Sequence, residues 1–136
     1  MAIKFPSEEW LKELETRLNA SETYAQAAAT WEGDIIFVIL PDDSYPDTMY
    51  GYLDLQHGKA SGARRLNSLD EQKAKFTMTA PFSTWRRVNE GRLDPLQAMF
   101  SGKIKVVGSM AQIQRTPKAT YEMTRMASQI DTDFDW

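Results

Sequence analysis

The stretch from Gly91 to Met110, GRLDPLQAMFSGKIKVVGSM, constrains the fold more than any other part of the chain, because it holds three glycines and an Asp-Pro pair in twenty residues. Gly91 is typical of the residue that follows a helix. Asp94 and Pro95 are typical of an N-cap and a first helical position. Gly102 would end this short helix, and KIKVV predicts a strand directly after it. The chain must therefore turn sharply from helix to helix to strand.

Apolar spacing predicts the elements that precede this stretch. Helices are expected over 7–19 and 21–29, and the uninterrupted apolar run at 34–41 predicts a strand buried on both faces. Alternating apolar and polar residues predict three more strands, and the short turns between them favour an antiparallel meander of all four. These three strands lie at 49–56, 60–66 and 73–79, the last with Ala74, Phe76 and Met78 facing inward.

The remaining elements are helical. A helix over 81–90 precedes Gly91, and a helical region follows Ser109, in which Pro117 marks a kink or a fresh start. This order favours one α+β domain over 1–136, with a five-stranded, mainly antiparallel sheet covered by helices. Within that domain, residues 1–19 are expected to form a helical extension and residues 131–136 a flexible acidic tail.

Composition excludes several classes of function. The absence of cysteine excludes disulfides, thiolate nucleophiles and sulfur-ligated metals, and the net charge of −3 argues against a dedicated nucleic-acid binder. The single histidine, His57, falls in a predicted turn, and Asp42-Asp43 lacks the spacing of a calcium loop. We therefore expect no metal, no cofactor and no nucleic-acid partner. Because the sequence has no signal-peptide or membrane-spanning run, we also expect a cytoplasmic protein.

The motifs around Gly91 carry a family resemblance. A Trp-bearing segment, FSTWRRVNEG, leads into GRLDP, a short apolar helix, GKIKV and then GSM. This order resembles the SCP2-type sterol carrier domain over about 20–130. The resemblance implies an apolar tunnel between the sheet and the helices. It also implies a non-catalytic function, the binding or transfer of a fatty acyl chain, acyl-CoA, phospholipid or sterol-like molecule.

The resemblance and the facing pattern together predict the residues of the tunnel. Five of the seven methionines lie after residue 77, and methionine suits surfaces that adapt to varied apolar ligands. The predicted lining comprises Phe76, Met78, Phe82, Trp85, Val88, Met99, Phe100, Ile104, Met110, Ile113, Met123 and Met126. A basic edge near the tunnel mouth could hold a carboxylate or phosphate head group. That edge comprises Arg86, Arg87, Arg92, Lys103 and Lys105.

Two alternatives stay open at this point. The same cavity could serve an enzyme such as an isomerase, which would need a titratable group pointing inward, and the strand candidates are Asp54, Tyr50 and Tyr52. The domain could instead be an interaction module. Independently of that choice, the helix over 7–19 could cover the tunnel mouth or form a homodimer contact. A lipid carrier is also expected to contact membranes transiently.

Overall fold

The computed structural model describes the whole chain, residues 1–136. The helices are α1 (Glu8–Asn19), α2 (Glu22–Ala27), α3 (Phe82–Asn89), α4 (Pro95–Phe100), α5 (Met110–Arg115) and α6 (Pro117–Ser128). The strands are β1 (Ile3–Lys4), β2 (Ile35–Leu40), β3 (Met49–Gln56), β4 (Lys59–Leu66), β5 (Phe76–Pro81), β6 (Lys105–Val107) and β7 (Thr132–Asp133). Helices therefore start and stop around Gly91, Asp94 and Gly102 as the sequence predicts.

The main sheet has five strands in the order β4-β3-β2-β5-β6. All neighbouring pairs are antiparallel except β2 and β5, which run parallel. The α+β class and the mainly antiparallel sheet are thus confirmed, whereas the four-strand meander is wrong at its last strand. The physical reason lies in β2, whose residues are apolar on both faces and which therefore becomes the central strand with a neighbour on each side.

The connection from β4 to β5 covers the outer face of the sheet, defined by the buried side chains of Ile36, Val38, Tyr52 and Leu66. Ala74 packs against this outer cluster rather than pointing inward, which corrects the prediction for that residue. The reason is that the backbone amide of Lys75 donates to the Asp34 carboxylate at 2.7 Å. The chain is fixed there, and the strand begins only at Phe76.

Helix α1 belongs to the main core instead of forming an extension. The Ser7 hydroxyl caps its start by accepting from the Trp10 backbone amide at 3.0 Å. Four apolar side chains, Trp10, Leu11, Leu14 and Leu18, are buried against the sheet and α6. Removing this helix would uncover the inner face of β3 and β4.

The C-terminal residues are docked, in contrast to the flexible tail expected from their charge. Strand β7 pairs in parallel with β1. The Trp136 indole donates to the Phe5 carbonyl oxygen at 2.6 Å and packs edge-on against Tyr45, with ring centres 5.0 Å apart. Phe134 lies against Phe5 at 5.7 Å. The aromatic rings of the tail supply the apolar contacts that outweigh its three aspartates.

Two details of the C-terminal half refine the sequence prediction. Helix α5 ends at Arg115 and α6 begins at Pro117, so the Thr116-Pro117 step is a fresh helix start rather than a kink. Strand β6 is limited to Lys105–Val107, shorter than the predicted run, because Ile104 is drawn into the core with its amide bonded to the Ala98 carbonyl oxygen at 3.0 Å.

Candidate functional site

An apolar cavity of about 110 Å³ lies between the inner face of the sheet and the helices. Of its 27 lining residues, 20 are hydrophobic, so the space favours apolar matter over water or ions. We call this space the central cavity. Its floor is formed by inward residues of β2, β3 and β5. Its walls come mainly from α1, α3, α4 and α6. Tyr24 of α2, Ile113 of α5 and the residues Trp31 and Ile104 between elements also line it.

The register of the strands and a glycine determine the shape of the cavity floor. Phe37 pairs with Gly51 on one side and with Met78 on the other, which places these three residues in one row across the sheet. Gly51 has no side chain, and a Cβ built there would lie 3.2 Å from Leu11 of α1. The missing side chain therefore lets α1 approach the floor closely at this row.

The wall formed by α3 is held rigidly. The Trp85 indole donates to the Val38 carbonyl oxygen at 3.0 Å, and its ring stands edge-on to Phe37 with centres 5.8 Å apart. By contrast, Asn89, Met99 and Thr120 are only half-buried although they line the cavity. The central cavity therefore comes nearest to the surface between α3, α4 and α6.

The structure brings seven of the twelve sequence-predicted lining residues together around the central cavity. They are Met78, Trp85, Val88, Met99, Ile104, Ile113 and Met123. Six of these seven follow residue 80; five lie on α3, α4, α5 and α6, and Ile104 lies just before β6. These seven side chains border the empty space, so a molecule in the cavity would contact them.

The other five predicted residues lie elsewhere. Phe76 packs against Trp31 at 5.0 Å, and Phe82 stacks on Tyr45 at 5.3 Å, in the aromatic cluster that holds the tail. Met126 is buried in the core and Met110 is half-buried at its edge. Phe100 is 54% exposed, because six-residue α4 turns Leu96 and Ala98 inward and leaves the last position outside.

Sequence reasoning missed the contribution of the N-terminal third. Trp10, Leu11 and Leu14 of α1 line the central cavity, as do Phe5 and Tyr24. A signal for the first three was present in the apolar stripe of an amphipathic helix. Treating that helix as an extension hid its role, since an element outside the domain cannot form a wall within it.

None of the five cations predicted to hold a head group lines the central cavity. Arg86 pairs with Glu90 at 3.2 Å, and its guanidinium lies over the Phe134 ring at 5.0 Å. Arg87, Lys103 and Lys105 are exposed. Arg92 lines a separate surface groove of about 350 Å³, which adjoins the cavity because Pro95 and Thr124 line both.

The central cavity offers little to acid–base chemistry. Its only titratable lining group is Tyr24, and burial raises the pKa of Tyr24 to about 12, so its hydroxyl is neutral near pH 7. The enzyme candidates point away from it: Tyr52 lies in the outer cluster and donates to Asp34 at 2.8 Å, and the Asp54 carboxylate accepts from Gln56 at 2.9 Å. His57 sits exposed in the β3–β4 turn.

The raised pKa of Tyr24 makes stability depend on pH in the alkaline range. The unfolded state loses this proton near pH 10 and the folded state near 12, so the contribution is complete below pH 10 and is lost as the pH rises toward 12. Urea unfolding of Tyr24→Phe should therefore show a shallower loss of stability between pH 10 and 12 than the unaltered protein. The free energy of unfolding of each protein is measured relative to its own value at pH 7. If it falls equally steeply for both proteins between pH 10 and 12, this assignment is wrong.

None of the helices combines the length and the apolar composition that crossing a bilayer requires. The longest, α1 and α6, have 12 residues each. No cluster of three or more histidine, aspartate or glutamate side chains is arranged to hold a metal ion.

Comparisons with known proteins agree with this architecture. Residues 6–119 match the model of the SCP-2 sterol transfer family. A crystal structure of sterol carrier protein 2 is 34% identical, with a TM-score of 0.82 over 91% of this chain and 97% of that chain. No protein of curated function has a significantly similar sequence.

Two further solved structures are similar. The solution structure of a conserved hypothetical protein from Thermus thermophilus, described as a candidate sterol carrier protein, is 33% identical, with a TM-score of 0.83 over 93% of this chain and 90% of that one. Sterol carrier protein 2 from Yarrowia lipolytica in its apo form shares the fold at 17% identity, with a TM-score of 0.58 over 90% and 89%. Because the family model matches most of the chain, the protein belongs to the SCP-2 sterol transfer family.

Proposed function

We propose that the protein is a non-catalytic lipid carrier that works in the cytoplasm and holds the hydrocarbon part of its cargo in the central cavity. The cargo class is a fatty acyl chain, an acyl-CoA, a phospholipid or a sterol-like molecule. The observation that carries the proposal is the lining of the cavity, which is apolar and contains no side chain that is charged near pH 7. Membership of the sterol transfer family supports the same conclusion.

The energetics suit a carrier that must release its cargo. Burying a sixteen-carbon chain at ~0.8 kcal/mol per methylene contributes on the order of 13 kcal/mol. Association costs of about 4–15 kcal/mol offset much of that gain. No specific polar contact is needed to reach useful affinity, and the balance leaves binding reversible.

The size of the cavity indicates how cargo would enter. A dry apolar cavity of about 150 Å³ accommodates a benzene molecule, so the central cavity at about 110 Å³ holds only part of a long chain as it stands. A longer chain must displace the walls. Met99 and Met123 are half-buried and unbranched, and we propose that they move aside when the chain enters between α4 and α6.

We propose that the seven lining residues named above contact the hydrocarbon chain, together with the α1 residues that face the same space. The head group would remain outside, in the groove lined by Arg92 and Arg125. Both guanidiniums have acidic neighbours, Glu90 at 3.9 Å and Glu122 at 2.9 Å, so the groove is close to neutral. A zwitterionic or weakly charged head group fits it better than a strongly anionic one.

The two alternatives have less support. An isomerase in this cavity would need a general base in the wall, and Tyr24, the one titratable lining residue, retains its proton near pH 7 and so does not supply that base. A homodimer formed through residues 1–19 would need apolar residues on the outer side of α1. The exposed residues there include Glu8, Glu9 and Lys12, while the apolar stripe is already buried within the chain.

A series of saturated fatty acids of increasing length tests the proposal by displacing a fluorescent fatty acid. We expect affinity to rise about fourfold with each added methylene, from ~0.8 kcal/mol of burial, until the widened cavity is full. Affinity should then level off. Affinity independent of chain length, or absence of displacement at micromolar concentrations, would contradict a carrier function.

A further inference from the structure

Tyr24 carries a buried hydroxyl for which the protein supplies no partner. The residue lies on α2, is 1% exposed and lines the central cavity. Its backbone amide donates to the Ser21 hydroxyl at 3.0 Å, but its own hydroxyl forms no hydrogen bond within the chain. Buried polar atoms in folded proteins are nearly always hydrogen-bonded, so an unpartnered hydroxyl at this depth requires an explanation.

Other tyrosines of the chain are treated differently by the fold. The hydroxyls of Tyr52 and Tyr121 each donate to an aspartate carboxylate, at 2.8 Å and 3.0 Å. The hydroxyl of Tyr45, which does not line the cavity, has an arginine and an aspartate in its surroundings. Only burial acts on the hydroxyl of Tyr24. Its lack of a partner is therefore a particular feature of the cavity wall.

The remaining polar side chains of the cavity lining need no partner from inside the cavity. The Ser7 hydroxyl donates to the Lys4 carbonyl oxygen, and the Thr124 hydroxyl donates to the Thr120 carbonyl oxygen at 2.9 Å. Asn89 and Thr120 are half-buried and lie where the cavity comes nearest to the surface, so water can reach their side chains. The phenol on α2 has neither an internal partner nor contact with bulk water.

A partner can reach the Tyr24 hydroxyl only through the central cavity. Thr116 also has an unpartnered hydroxyl, but that oxygen is fully enclosed and the residue does not line the cavity. Tyr24 borders the cavity and is otherwise shut off from solvent. A buried water typically makes about three hydrogen bonds, which a mainly apolar lining does not offer. The partner that remains is the cargo itself.

The cavity lining requires that this partner be uncharged. No Lys, Arg or His side chain lines the cavity, so an ionised carboxylate or phosphate inside it would lose its hydration without gaining a counter-ion. The phenol of Tyr24 stays neutral near pH 7, because burial raises its pKa to about 12. It can therefore donate a hydrogen bond to a neutral oxygen. A hydroxyl or a carbonyl group meets both conditions.

We propose that Tyr24 selects cargo that carries an uncharged oxygen, a hydroxyl or a carbonyl, on the part of the molecule that lies inside the central cavity. The inference rests on the proposed carrier function and narrows its cargo class. Two kinds of lipid supply this oxygen. A fatty acid with a hydroxyl on its chain would keep its carboxylate outside, whereas a fatty alcohol would enter with its own hydroxyl first.

The expected effect is discrimination between cargo molecules of equal length. An oxygen that enters an apolar cavity without a partner weakens binding about tenfold, equivalent to ~1.4 kcal/mol. The Tyr24 hydroxyl removes this penalty by donating to that oxygen. A plain hydrocarbon chain makes no such contact, so its affinity does not depend on the hydroxyl.

Displacement of the fluorescent fatty acid from the unaltered protein and from Tyr24→Phe tests the proposal. Palmitate, which has no oxygen on its chain, should bind both proteins equally. At least one of 10-hydroxypalmitate, 16-hydroxypalmitate and hexadecanol should bind Tyr24→Phe about tenfold more weakly. A loss confined to the hydroxy acids assigns the oxygen to the chain. A loss confined to hexadecanol assigns it to a polar end that enters first.

The matched control is Tyr45→Phe, the same change at a buried tyrosine outside the cavity, and it should bind every ligand as the unaltered protein does. Equal losses for palmitate and the oxygenated ligands on Tyr24→Phe, or no loss for any of them, would overturn the proposal.

Thermal unfolding at pH 7 gives a second readout. Because the Tyr24 hydroxyl has no partner within the chain, Tyr24→Phe should melt no lower than the unaltered protein. A lower melting temperature would mean that the hydroxyl already has a partner without cargo, and would also overturn the proposal. Palmitate that fails to bind the unaltered protein would refute the carrier function and this inference with it. Palmitate that binds, without discrimination by Tyr24, would refute the inference alone.

Discussion

Ala127→Phe is expected to abolish cargo binding while leaving the protein folded. Ala127 is 5% exposed on α6 and lines the central cavity, so a phenyl ring at this position projects into the space that the chain would occupy. If the ring excludes about four methylenes, the loss is about 3 kcal/mol, or more than 100-fold in affinity. The ring also fills empty volume, which offsets part of the usual overpacking cost of about 1–3 kcal/mol.

The matched control for this prediction is Ala111→Phe, which makes the same chemical change at an exposed position of α5. It should bind the fluorescent fatty acid as the unaltered protein does. Both variants are compared by fatty-acid displacement and by urea unfolding. Undiminished binding by a folded Ala127→Phe protein would mean that cargo occupies a different place.

Gly58→Ala is expected to destabilise the protein by about 3 kcal/mol or more, which lowers the melting temperature by roughly 10 °C. Gly58 and His57 both have positive φ, +81° and +51°, and form the two-residue turn between β3 and β4. A Cβ at position 58 would lie 2.5 Å from the carbonyl oxygen and 2.7 Å from the Cα of Ala25. Because these are backbone atoms of α2, the helix that carries Tyr24 must shift.

Gly102→Ala separates the two causes of this effect. Gly102 has a φ of +80°, nearly the same as Gly58, but a Cβ there would have nothing within 4 Å. It should cost only the conformational penalty of about 1–2 kcal/mol for alanine in this region. Thermal unfolding of both variants gives the comparison. If both variants lose the same stability, the close approach of the turn to α2 does not contribute to the cost of Gly58→Ala.

Much of the fold could be predicted because its signals are local. The N-caps Ser7 and Asp94, the proline at position 95 and the glycine at 102 each act within one turn, and all lie where the structure begins or ends a helix. The class of the fold followed from the order of these elements. The pairing of the strands could not be predicted in this way. Whether β5 pairs with β4 or with β2 depends on the path of residues 67–75 across the sheet, and that path produces no periodic pattern in the sequence.

Only about half of the residues at the candidate site could be predicted from the sequence, for a similar reason. Helical stripes place Trp85, Val88 and Met123 toward the sheet, and periodicity detects such stripes. It cannot tell which apolar residues border empty space and which, like Phe82, fill a solid aromatic cluster. That distinction depends on tail residues more than 50 positions away. Likewise, the exposed ring of Phe100 looks apolar in sequence, and only the packing of α4 shows that it faces outward.

The central claim is that the protein functions by holding an apolar chain in the central cavity and not by catalysing a reaction. NMR of the methionine methyl groups tests this claim most directly. Four of the seven methionines, Met49, Met78, Met99 and Met123, line the cavity, whereas Met1, Met110 and Met126 do not. With ¹³C-methyl methionine in the protein and palmitate as ligand, the claim predicts nuclear Overhauser contacts from the acyl chain to the first four methyls. Contacts confined to the other three, or no binding of the chain at all, would contradict it.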